Sequence, residues 1–156
     1  MTRYLMSTLL IAFLAGGIAN ADISSRNVIA AYKGQLVISK AELSEGKNDK
    51  DTIARIKAEK LSELKGELHN DITQWNFHYT AFITKAGNAT LKMEFWRDGK
   101  QYAADKRLDG IDPKSAVLTG QITIDEDEGL SKGKSYLIKF VGPGDSVVAS
   151  TTLVMK

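Results

Sequence analysis

The residue types that carry most protein chemistry are scarce in this chain. It has two histidines, His69 and His78, and no cysteine. Without cysteine there is no disulfide, no thiolate metal cluster and no thiol nucleophile. A serine nucleophile needs a base and an acid that orients the base. Serines are plentiful, but no Gly-x-Ser-x-Gly elbow accompanies them. His69 lies in a polar stretch with Asn70 and Asp71, and His78 lies within an alternating run. Neither gains a catalytic partner from sequence. Two histidines without a His-x-x-x-His pair also make a poor zinc site. The chain reads as a non-enzyme without a cofactor.

The densest acidic run is Asp125-Glu126-Asp127-Glu128. Calcium takes roughly six to eight oxygens from loops of this kind. Asp125 and Asp127, with Asp109, Asp112 or Asp145 brought near, are weak calcium candidates, although the EF-hand pattern is absent. The plainer expectation is a solvated turn between strands. Lysine and arginine number 21 against 19 acids. That near balance leaves no basic footprint for nucleic acid.

Any site has to be positioned by the elements around it. Residues 28–32 and 35–43 read as the first strands, and 44–50 as a polar loop. Next the period changes. Ile53, Ile56, Leu61, Leu64 and Leu68 form one stripe at helical spacing, which predicts an amphipathic helix over about 51–66. Asp49 or Asp51 would cap it, and Gly66 would stop it. From Trp75 onward the period is two. Trp75, Phe77, Tyr79, Ala81 and Ile83 share one face, with Phe82 on the other. Leu91, Met93 and Phe95 face inward, so Trp96 faces outward. Further strands follow at 101–104, 117–124, 135–141 and 147–155, the last suited to an edge.

About seven or eight short antiparallel strands with one inserted helix predict a mainly β chain, a β-sandwich. An outward Phe82 and Trp96 on adjacent strands would make an apolar patch that soluble monomers seldom leave bare. Two readings follow. Either the helix covers both residues, or they form a binding surface for a partner.

Leu130, Gly133 and Tyr136, followed by Ile138 and Phe140, fall in the register of a tyrosine corner. The segment resembles that of fibronectin type III and related immunoglobulin-like sandwiches. The resemblance implies an immunoglobulin-like fold in which the Tyr136 hydroxyl bonds backbone across the corner and Gly133 supplies the turn. It implies no particular activity.

Residues 1–21 have the three parts of a secretory signal. Arg3 is the positive end, residues 5–18 are apolar, and Ala19 and Ala21 are the small residues that cleavage requires. The apolar run is shorter than the ~20 residues that span a bilayer. Removing 21 of the 156 residues leaves 135, the size expected for one domain, 22–156. No later segment reads as a membrane span, and the missing cysteine excludes a lipoprotein anchor. The expectation is a soluble binding protein of the bacterial periplasm or exterior, with an unknown envelope partner. The alternative is a calcium- or small-ligand-binding accessory domain.

Overall fold

A computed structural model describes residues 23–156. The expected export signal lies outside the described residues. The elements are α1 (Arg26–Tyr32), β1 (Leu36–Ser39), α2 (Asp49–Glu59), β2 (Glu63–Leu64), β3 (Glu67–His69), β4 (Ile72–Phe82), β5 (Leu91–Arg97), β6 (Gln101–Leu108), β7 (Val117–Asp125), β8 (Lys134–Val141) and β9 (Val147–Met155).

These nine strands form two sheets. In the first, β7 runs along the full pairing length of β4, while β1 and β3 share the other edge of β4 end to end. In the second, the order is β2-β9-β8-β5-β6, antiparallel except that β2 lies parallel to β9. Period-two alternation turns Trp75, Phe77, Tyr79 and Ala81 of β4 inward. They meet Met93, Phe95, Tyr136, Ile138 and Phe140 of the second sheet. Trp75, Phe77, Phe95, Tyr136 and Phe140 are among the largest fully buried side chains. Tyr79 packs edge-on against Phe140 at 5.1 Å, and its burial pushes the phenol up to about 12. The Trp75 indole N–H donates to the Lys156 carbonyl at 3.2 Å, tying the C-terminal residue to the core.

A second, smaller core sits outside the first sheet. Val28 and Tyr32 of α1, Ile56 of α2, and Ile23 and Leu43 cover Val37 and Phe82. The N-terminal segment is fastened there by hydrogen bonds. The Ser24 and Ser25 amides donate to Glu45, and the Ser25 hydroxyl and Asn27 amide donate to Asp49 at 2.6 and 2.8 Å.

Three sequence expectations need correcting. Residues 28–32 are helical, not a strand: the Ser25 side chain caps the first turn, and Val28 and Tyr32 share the buried face at a spacing of four. The helix expected over about 51–66 is α2, which begins after an Asn48 cap, not an Asp49 or Asp51 cap, and ends at Glu59. Lys60 is already extended, the Leu61 amide donates to the Ile38 carbonyl, and Leu64 enters β2. Leu61 and Leu64 continue the apolar stripe but pack against the inter-sheet core. Gly66 does not stop the helix. A Cβ there would stand 2.4 Å from the Thr73 side chain and 2.9 Å from the Trp75 indole nitrogen, so Gly66 marks a close approach to β4. The third correction concerns β9. It is no free edge, because Ser150 bonds the Gly34 carbonyl and Val154 that of Ser62 on the side away from β8.

Candidate functional site

β4 and β5 follow each other in the chain but belong to different sheets. Phe82 and Trp96 are therefore not neighbours. Phe82 is fully buried under the helical layer, its ring 5.3 Å from that of Tyr32. Trp96 lies on the outer face of the five-stranded sheet, where no helix among the described residues covers it. Of the two outward aromatics, the helices take one and leave the other.

Trp96 stands between Tyr102 of β6 and Leu137 of β8 in the sheet register. A register shift beside Trp96, between it and Phe95, brings Tyr102 opposite it. The two rings meet edge to face at 5.6 Å, and Tyr102 is 49% exposed. Several contacts fix the indole. Its N–H donates to a Glu94 carboxylate oxygen at 2.9 Å, and the Lys139 ammonium sits 4.4 Å from its ring centre. Lys92 lies 3.6 Å from the same carboxylate. Partial burial, and then the neighbouring Asp105 carboxylate, raises the Tyr102 hydroxyl above its ordinary value. The neutral phenol is the donor of the hydrogen bond between them, with Asp105 accepting.

This arrangement has a chemical bias. One face of the indole is taken by a cation and its N–H by a carboxylate. Flat stacking of a sugar on that ring face is blocked. What remains is a rigid aromatic edge with an apolar neighbour, Leu137, and alternating charges around it. The cluster itself would lose little side-chain freedom when a partner packs against it.

The other sequence candidates are placed elsewhere. Asp125 accepts the Glu128 amide and Glu128 accepts the Asp125 amide, a reciprocal capping pair around the 3-10 turn Glu126–Glu128. Glu126 accepts the Thr73 amide at 2.9 Å, which holds its carboxyl below the usual range. Glu128 also pairs with Lys106. Asp127 is exposed. Asp109 is held by Arg107 and Thr90, and Asp112 accepts the Lys114 amide. Among the described residues no three histidines or acids gather as metal ligands.

His69 lies 3.7 Å from Glu67, and both are exposed. It lines a shallow hollow of about 170 Å³ with Asn70, Ile72, Gln74 and Asp125, none of which is a nucleophile of the serine or cysteine type. His78 is half-buried on the outer face of β4, six residues beyond Ile72, the register partner of His69. The two histidines form no pair. Leu130 is buried in the main core. The Tyr136 hydroxyl accepts the Ser131 amide at 2.8 Å, with Gly133 between them at φ +78°. No helix among the described residues is long and apolar enough to cross a membrane.

The signal that sequence reasoning could have used for Tyr102 was its outward position after the Asp98-Gly99 turn. Lys139, Leu137 and Glu94 carried no such mark, because only sheet register brings them to Trp96. The chain matches no known protein-family model and no curated protein sequence.

Proposed function

We propose that this chain is an exported, non-enzymatic interaction module of the bacterial envelope or exterior, which engages a protein partner through the Trp96–Tyr102–Leu137 face. One observation carries the reading: a partly exposed tryptophan, fixed by Glu94 and Lys139, on a sheet face that no described helix covers, beside a 49% exposed tyrosine. Tryptophan and tyrosine dominate interface hot spots, and ordered aromatics lose little entropy on binding. The signal-like residues 1–21 supply the export part of the reading.

The fold we assign to the module is immunoglobulin-like. Its support is the tyrosine near the start of β8 bonding backbone five residues upstream, with a buried tryptophan in the opposite sheet. The reading as a calcium- or small-ligand-binding accessory domain has less support. Asp125, its first candidate ligand, already caps a turn.

The test is cross-linking in producing cells followed by affinity capture, with the wild-type chain and Trp96→Ala side by side. The expected result is one enriched envelope protein, captured by the wild type and lost with Trp96→Ala. Equal capture by both would remove Trp96 from the interface. Absence of any enriched partner would contradict the interaction-module reading.

A further inference from the structure

A crevice of about 270 Å³ lies between α1 and the strand ends at Ile83 and Ala116. Its walls are Ile29, Ala30, Ile83 and Ala116, and its rim carries Arg26 and Lys33. Arg26, Ile29 and Ala30 share one face of α1 at offsets of three and four, and Lys33, just past the helix end, joins them at the crevice. The opposite face buries Val28 and Tyr32. Across the crevice, Ile83 bonds the Ala116 carbonyl and Ala86 bonds that of Ser115, which sets the two segments side by side. The same segments carry Lys85 and Lys114, both exposed. Among the described residues none of these four cations has a carboxylate partner. The acids of the adjoining loop are engaged, Asp109 by Arg107 and Thr90, and Asp112 by the Lys114 amide.

An apolar slot rimmed by Arg26 and Lys33, with Lys85 and Lys114 on the adjoining segments, is complementary to an amphiphilic anion. The apolar walls favour burial of hydrocarbon, and the cations select a negative head group. The charge comes from three separate segments, which is more than one carboxylate would engage. We propose that this end of the molecule docks peripherally on an anionic phospholipid bilayer. Ile29 and Ala30 turn toward the acyl layer, while Arg26, Lys33, Lys85 and Lys114 meet phosphates. The surface is distinct from the Trp96 face and does not depend on it.

The test is co-sedimentation of the protein, as isolated from producing cells, with vesicles of mixed phosphatidylglycerol and phosphatidylcholine and with phosphatidylcholine alone. The expected result is binding to the anionic vesicles only, weakening as salt rises. Arg26→Glu with Lys33→Glu should lower that affinity by about tenfold or more. Lys100→Glu with Lys134→Glu, the same charge change at the opposite end of the sandwich, should leave it unchanged. Thermal melts of both double variants establish that they fold. Four results would overturn the proposal: no binding to anionic vesicles, equal binding to both compositions, equal loss from both double variants, or uptake of free dodecanoate without vesicle binding.

Discussion

Two side chains show how much local chemistry this chain spends on shape. Tyr136 is fully buried, and its hydroxyl is the partner of the Ser131 amide. Tyr136→Phe keeps the ring and strands that amide, which should cost about 1–3 kcal/mol. Urea unfolding would show this as a lower midpoint with an unchanged slope, and an unshifted midpoint would deny the corner its role. Asp125 is the second case. Asp125→Ala removes a capping acceptor and should cost about 1 kcal/mol. The loss should be the same with and without calcium, and a calcium-dependent melting shift in the wild type that vanishes in the variant would instead revive the metal reading. The corner was legible in sequence because Leu130, Gly133 and Tyr136 stand at fixed offsets. The capping pair was not, because a run of four acids looks alike whether it caps a turn or holds an ion.

At the scale of elements, periodicity fixed faces far better than partners. Alternation placed Trp75, Phe77 and Tyr79 inward and Phe82 and Trp96 outward, as the two cores require. It could not say that β4 and β5 join different sheets, since chain adjacency is no guide to hydrogen-bonded adjacency across a sandwich. The helix end was missed for a related reason. Leu61 and Leu64 extend a 3.6-residue stripe by coincidence while belonging to extended chain. The β-branched Val28 and Ile29 suit a strand, yet the Ser25 cap and the four-residue spacing of Val28 and Tyr32 make the segment a helix. The helical layer also has a predictable pH response. Hydrogen bonds from Ser25 and then Asn27 hold the Asp49 carboxyl below its usual value. A depressed carboxylate contributes stability above its unfolded-state value and loses it as pH falls through the folded one. Acidification below the ordinary aspartate range should therefore loosen the contact between α1 and α2. Asp49→Asn should flatten that response, which near-UV spectra of Tyr32 or amide exchange in α1 would follow. An unchanged acid response would place the sensitivity elsewhere.

Taken whole, the molecule presents two unlike outer faces. One sheet is capped at its Phe82 end by the helical layer and leaves Asn76 and Gln121, bonded to each other at 2.7 Å, on its open end. The other sheet has no covering layer among the described residues and carries the Trp96 cluster. Such an asymmetry is what a binding module needs, one face closed for stability and one left for a partner. In the proposed complex a partner would contact the second face. That contact is tested most directly by placing a photo-activated cross-linking residue at Thr152, opposite Leu137 in the register, and separately at Gln121 on the other sheet. Both positions are exposed, so neither substitution disturbs a core. The expected result is a discrete cross-linked species in producing cells from Thr152 and none from Gln121. A species from Gln121 alone, or none from either position, would contradict it.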